Sequence, residues 1–247
     1  MTDRCAWARW MGLGLILGGL AVGCGDEATE GPTATRLAFR FSNVSAASAL
    51  IDGAGGPVDI TFAPGVWAIY EGESPVVEGE AASVAGLETL AEDGAPAAMK
   101  ATLAGSPGVA QAGTFSTLEA LTYDESPIGP GQSVTVAFEA RPGARLFVAT
   151  MFAESNDAFV GGFAVALFDA DGAPLLGDRE EALALWDAGT EVNEPPGAGA
   201  FQPATQPATN TGPDEVDGVV RRIDGEDGEG NLYPAVSAMA GFVVEAR

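Results

Sequence analysis

Two short acidic segments carry the side chains best suited to chemistry in this sequence. Residues 154–157 (ESND) follow the apolar stretch 146–152, and residues 187–191 (DAGTE) follow the apolar stretch 182–186. Strand ends from different sheets gather at one edge of a sandwich, so carboxylates placed just after two strands are expected to converge there. Clustered carboxylate oxygens are the ligands that hard cations such as Ca²⁺ prefer in proteins.

Asp157, Asp187 and Glu191 are the predicted ligands of one calcium ion. Gly189 lies between Asp187 and Glu191, where its conformational freedom allows the chain to curl round an ion, and Asp157 would close the site from the neighbouring loop. Backbone carbonyls and water would complete the roughly six to eight oxygens that Ca²⁺ takes. The alternative is that these acids only form turns on a highly acidic surface.

The composition excludes most of the familiar catalytic sites. The 247 residues contain no histidine and only two cysteines, Cys5 and Cys24, which excludes a Ser-His-Asp triad, a Cys-His dyad and an ordinary zinc site. A net charge of −24 repels nucleic acid and anionic membrane surfaces. Glycoside hydrolysis needs only a pair of carboxylates, so a glycan-active or glycan-binding β-sandwich protein stays open as the alternative function.

Alternating apolar residues separated by glycine and proline turns predict a mainly β fold, an antiparallel β-sandwich with one or two short helices in its connections. A helix is expected over residues 81–92, with its glutamates facing solvent and Gly94 at its end, and another helical turn after Pro96. Residues 193–217 are expected to form a long loop. Strands are expected over residues 37–41, 58–62, 66–70, 134–138, 146–152, 163–167 and 242–245, with Trp67 and Trp186 in the core.

The N-terminus has the pattern of an export signal. Arg4 and Arg9 precede the apolar run 11–23, which is too short to span a bilayer. The tetrad 21–24 (AVGC) resembles a bacterial lipobox, which implies cleavage before Cys24 and acylation of its sulfur. An ordinary secretory signal that is simply cleaved nearby is the alternative.

This pattern divides the chain into a lipoprotein signal peptide (1–23), a flexible acidic tether (24–35) and one folded domain (36–247). The protein is therefore expected at the cell envelope, on the outer membrane or the cell surface, and in contact with the membrane only through the lipid on Cys24. No nucleic-acid partner is expected, because the chain is strongly acidic.

Five segments of the folded domain form a recognisable series. They are 62–67 (FAPGVW), 86–94 (GLETLAEDG), 155–161 (SNDAFVG), 185–191 (LWDAGTE) and 232–234 (LYP). In this order they resemble the spondin N-terminal domain family. The resemblance covers about residues 35–247, with Asn156 in place of the proline common in animal members and Glu191 in place of the usual aspartate.

The resemblance implies a sandwich similar to a C2 domain, with a calcium ion held at one edge by Asp157, Asp187 and Glu191. Animal members carry this domain in extracellular matrix proteins. The chain is therefore expected to be a non-enzymatic adhesion or matrix-binding module whose partner is an extracellular protein or a glycan.

Overall fold

The chain is mainly β with antiparallel sheets, as predicted. The computed structural model describes residues 33–81, 84–118 and 127–247. The predicted signal peptide, Cys24 and most of the predicted tether lie outside these residues. The strands are β1 (Thr35–Asn43), β2 (Leu50–Ile51), β3 (Pro57–Val58), β4 (Gly65–Tyr70), β5 (Val109–Phe115), β6 (Ser133–Ala140), β7 (Arg145–Met151), β8 (Ala158–Ala166), β9 (Gly177–Asp178), β10 (Ala184–Asp187), β11 (Arg221–Ile223) and β12 (Ala240–Ala246).

Two larger sheets and one small hairpin account for the strands within the described ranges. One sheet has the order β6-β1-β12-β9, the second has the order β11-β10-β8-β7-β4-β5, and β2 pairs with β3. Every one of these pairings is antiparallel. Residues 193–217, between β10 and β11, form a long loop with turns and bends, as predicted.

The two larger sheets share one hydrophobic core, which gives the fold its sandwich-like character. Leu37, Phe39 and Phe41 are all buried on β1 because alternate side chains of a strand point to the same face. The ring of Phe39 lies with its centroid 6.4 Å from that of Trp67 on β4 and 5.6 Å from that of Phe115 on β5. These aromatic contacts join the four-stranded sheet to the six-stranded sheet.

Two helices cover the other face of the six-stranded sheet. They are α1 (Leu87–Asp93) and α2 (Ala97–Gly105), and Met99 and Leu103 of α2 are both buried. A second hydrophobic core lies between this face and the helices. Trp186 belongs to it and stacks on Phe163 with ring centroids 4.3 Å apart. Over the ranges that the structure describes, no helix combines the length and apolar character needed to cross a membrane.

Two predicted elements differ from the structure. The predicted strand 58–62 is limited to Val58, at the end of β3, and to two isolated bridges of Phe62, with Ile128 and with Phe152. Between them, the carbonyl of Ile60 accepts a hydrogen bond from the side chain of Asn43 at 2.8 Å instead of from a partner strand. The predicted helix 81–92 begins only at Leu87. Gly86 has a φ of 94°, and a Cβ there would lie 2.3 Å from the backbone nitrogen of Met99.

One side chain links an edge strand of the six-stranded sheet, β5, to an edge strand of the four-stranded sheet, β6. The amide nitrogen of Gln111, on β5, donates to the backbone carbonyl of Glu139, on β6, at 2.6 Å. The backbone N–H of Glu139 donates in return to the amide oxygen of Gln111 at 3.3 Å. The side chain of Gln111 therefore satisfies backbone groups that β6 would otherwise leave unpaired at its edge.

Candidate functional site

Asp157 and Asp187 lie at the same edge of the six-stranded sheet. Asp157 directly precedes β8, Asp187 is the last residue of β10, and Asp187 pairs with Ala158 across the two strands. The prediction that the two acidic segments converge at one sheet edge is confirmed. The strands that carry them are neighbours in one sheet, however, and do not belong to different sheets as expected.

Asp157 is a completely buried carboxylate, with 0% of its surface exposed. Its Oδ2 accepts hydrogen bonds from the backbone N–H of Thr190 at 3.0 Å and of Glu191 at 3.1 Å. Its Oδ1 is buried and has no hydrogen-bond partner in the part of the chain that the structure describes. Burial, followed by the negative charge of Asp187, raises the pKa of Asp157 well above its usual value.

Asp187 is also buried, with 1% of its surface exposed, and both of its oxygens accept hydrogen bonds. Oδ1 accepts from the backbone N–H of Gly189 at 2.5 Å. Oδ2 accepts from the side-chain amide of Asn193 at 3.0 Å and from the guanidinium of Arg221 at 2.7 Å. The charge of Asp187 is thus balanced by a cation that belongs to the protein itself.

Glu191 contributes differently from the two aspartates. Its backbone N–H contacts Asp157, whereas its carboxylate accepts a hydrogen bond from the backbone N–H of Gly212 at 2.8 Å. A Cβ at position 212 would lie 2.2 Å from that carboxylate, so the glycine makes room for it. Burial is the main reason that the pKa of Glu191 is raised. Considering the described residues together, no three acidic or cysteine side chains form a group that could hold a metal ion.

The oxygens of the predicted ligands differ in whether they already accept hydrogen bonds. Asp157 Oδ1 accepts none from the described residues, whereas both oxygens of Asp187 and the Oε1 of Glu191 accept hydrogen bonds. A carboxylate oxygen that accepts one hydrogen bond keeps a second lone pair, so these contacts leave coordination chemically open. Filling the site with calcium would nevertheless require Arg221 to share Asp187.

Two further buried acids lie near the site. The carboxylate of Glu154 accepts hydrogen bonds from the backbone N–H of Thr61 at 2.9 Å and from its hydroxyl at 2.6 Å, and burial raises its pKa to about 7. Glu92, on α1, is also buried, and burial raises its pKa to about 7 although the Thr190 side chain hydrogen-bonds to it. The expectation that the glutamates of this helix face solvent is wrong for Glu92, since the helix packs this residue towards Thr190.

Sequence reasoning missed Arg221 and Asn193. The signal for Arg221 is its position in β11, directly opposite Asp187 of β10, but the short strand 221–223 has no alternating pattern that would predict this pairing. No pattern in the sequence distinguishes Asn193 from the other polar residues of its loop.

Comparisons with known proteins add no relative: no protein-family model matches this chain, and no curated protein matches it.

Proposed function

We propose that this protein is an exported, lipid-anchored and non-enzymatic calcium-binding module for adhesion or matrix binding, of the kind that the spondin N-terminal domain represents. The observation that carries the proposal is the carboxylate of Asp157. One of its oxygens is fixed by two backbone N–H groups, and the other is buried without a partner in the described ranges. A divalent cation would satisfy that oxygen and offset the repulsion between Asp157 and Asp187.

The proposed ion is one Ca²⁺ bound by Asp157, Asp187 and Glu191. The segment from Asp187 to Glu191 wraps round Asp157 through backbone hydrogen bonds, so an ion at this edge would connect the start of β8 to the end of β10. The folded domain contains no cysteine with which to form a disulfide. An ion would therefore supply a cross-link that an exported domain commonly obtains from a disulfide.

The burial of Asp157 and Asp187 favours an ion over a sugar as the ligand. A glycosidase needs both carboxylates open to a sugar ring. Here the exposed fractions are 0% for Asp157 and 1% for Asp187, and Arg221 covers an oxygen of Asp187. These two carboxylates are therefore better suited to binding an ion than to acting on a glycan.

The adhesion role rests on the sequence resemblance and on the predicted lipid at Cys24. A domain tethered in this way would be displayed from the cell envelope, with an extracellular protein or a glycan as its partner. The net charge of −24 on the full chain favours contact through the lipid alone over direct contact with anionic membrane surfaces.

Thermal unfolding of the purified full chain in EDTA, magnesium and rising calcium tests the proposed ion. An ion that binds only the folded state at about 100 times its Kd adds roughly 2.7 kcal/mol to the free energy of unfolding. We expect a rise in melting temperature that is specific to calcium. An unchanged melting temperature in calcium, or an equal rise in magnesium, would contradict the proposal.

A further inference from the structure

Asn193 contacts Asp187 and provides, after Asp157, a second buried side-chain oxygen without a partner among the described residues. Its side chain is 8% exposed, and its amide nitrogen donates a hydrogen bond to Oδ2 of Asp187 at 3.0 Å. Its amide oxygen Oδ1 is buried and accepts no hydrogen bond from any described residue. A buried acceptor without a donor costs free energy, so an oxygen in this position needs a water or a cation.

Asp157 and Asn193 are held by the same loop, residues 187–193. Asp157 is fixed through the backbone N–H groups of Thr190 and Glu191, and Asn193 is fixed through Asp187. In each case one polar atom of the side chain is held by a hydrogen bond, and the other side-chain oxygen is buried with no partner among the described residues. The loop thus holds Asp157 and contains Asn193, and each of the two contributes one such oxygen, a carboxylate oxygen and an amide oxygen.

We propose that Asn193 is a further ligand of the divalent cation and contributes its Oδ1 to the shell that Asp157 begins. This inference rests on the proposed function and extends it to a residue outside the acidic segments. Amide oxygens are common calcium ligands. A neutral ligand also suits this edge, because it adds a metal–oxygen bond without adding a negative charge to a pair of buried aspartates.

Terbium bound to the full chain in place of calcium provides the test. The luminescence lifetime of Tb³⁺ in H₂O and in D₂O reports how many water molecules remain on the ion. We expect Asn193→Ala to lower calcium affinity by about tenfold or more. The same variant is expected to raise the number of waters on Tb³⁺ by about one, since water takes the vacated position.

Asn193→Asp tests the same position without removing the oxygen. This variant keeps a side-chain oxygen at position 193 but loses the amide that donates to Asp187, so it is expected to bind calcium more tightly than Asn193→Ala. Asn231→Ala is the matched control. Its amide donates to Asp227 at 2.7 Å, in the loop that follows β11, and the variant is expected to leave calcium affinity and hydration number unchanged.

The outcomes separate the two proposals. If the wild type binds calcium but Asn193→Ala changes neither affinity nor hydration number, Asn193 is not a ligand and the proposed function stands. Calcium binding by Asn193→Asp that is no tighter than by Asn193→Ala would also overturn the role of Asn193. If the wild type binds neither calcium nor terbium, the proposed function fails and this inference fails with it.

Discussion

Nη2 of Arg221 lies 2.7 Å from Oδ2 of Asp187, and the two residues face each other directly across β11 and β10. The same guanidinium contacts Glu215 at 2.7 Å. Asp187 is buried, whereas the side chain of Arg221 is 39% exposed. Arg221 therefore neutralises a buried carboxylate from the rim of the site, at the oxygen that a calcium ion would approach.

Arg221→Ala is expected to lower the free energy of unfolding in EDTA by roughly 1–3 kcal/mol, a value reduced for the solvent exposure of the arginine. The loss arises because Asp187 stays buried without its cation. Calcium should stabilise this variant more than it stabilises the wild type, since the ion no longer competes with Arg221. Chemical denaturation with EDTA and with calcium measures both effects.

Arg222→Ala is the matched control for that variant. Arg222 pairs with Asp224 at 3.0 Å, and both side chains are exposed. Its replacement should cost less than about 0.5 kcal/mol and leave the calcium response intact. An equal decrease in the free energy of unfolding in the two variants would show that the pair between Arg221 and Asp187 stabilises the fold no more than the exposed pair between Arg222 and Asp224.

Asp157→Asn is expected to abolish calcium binding without lowering the stability of the fold in EDTA. The amide removes a buried charge and keeps an oxygen for the N–H groups of Thr190 and Glu191. The free energy of unfolding in EDTA should stay the same or rise by about 1 kcal/mol, while the calcium-induced rise in melting temperature should disappear. Asp171→Asn, at an exposed hairpin position, should keep the calcium response. Retention of the full calcium response by Asp157→Asn would exclude Asp157 as a ligand.

Gly189→Ala is expected to destabilise the loop that holds Asp157. Gly189 has a φ of 69°, and a Cβ there would lie 2.5 Å from the backbone nitrogen of Val219. Strain and close contact together should cost roughly 2–4 kcal/mol. Gly225→Ala has a similar φ of 82° with open space around it, so it should cost only about 1 kcal/mol. Equal unfolding free energies for the two variants in urea titrations would contradict the close approach at Val219.

Stability in EDTA is expected to fall as the pH rises from about 4.5 to about 7. Burial raises the pKa of Glu154 from 4.5 to about 7, so the folded state binds a proton more tightly than the unfolded state. The stabilisation is complete below the unfolded pKa and is lost as the pH rises through the folded pKa. Glu92 acts in the same direction, since burial raises its pKa to about 7.

Urea titrations between pH 4.5 and pH 7.5 measure this slope. Glu154→Gln should remove roughly 1–3 kcal/mol of the pH dependence. Glu78→Gln, at an exposed position, should leave the slope as it is in the wild type. A pH profile that Glu154→Gln does not flatten would show that Glu154 titrates alike in the folded and unfolded states.

Acylation of Cys24 is the prediction on which the membrane anchor depends. Cells supplied with a palmitate analogue should label the wild-type protein, and Cys24→Ser should lose both the label and the membrane fraction. Cys5→Ser is the control, since that residue belongs to the segment expected to be cleaved. Labelling that persists in Cys24→Ser would place the lipid elsewhere.

The alternation of apolar and polar residues predicts a strand correctly where the strand's own sequence determines which of its side chains are buried. The pattern of Leu37, Phe39 and Phe41 is enough for β1, and the prediction is confirmed. The same reasoning failed over residues 58–62, although Ile60 and Phe62 are indeed buried. There the side chain of Asn43 occupies backbone carbonyls, and such a contact between distant residues leaves no local pattern.

The candidate site could be predicted only in part for a similar reason. Asp157 and Asp187 were found because each follows an apolar stretch, and the pairing of β8 with β10 brings them together. Arg221 and Asn193 reach Asp187 from a short strand and an irregular loop. Their positions depend on strand order and loop conformation, which are set by the packing of the whole domain.

The link between Gln111 and Glu139 has a consequence for self-association. Exposed edge strands are templates on which a second chain can pair and begin a fibril. Here both the N–H and the carbonyl of Glu139 are already bonded to the amide of Gln111, so a strand arriving at β6 meets a position it cannot extend across. If the proposed lipid anchor crowds copies of the protein at a membrane surface, this contact would keep neighbouring copies from polymerising edge to edge.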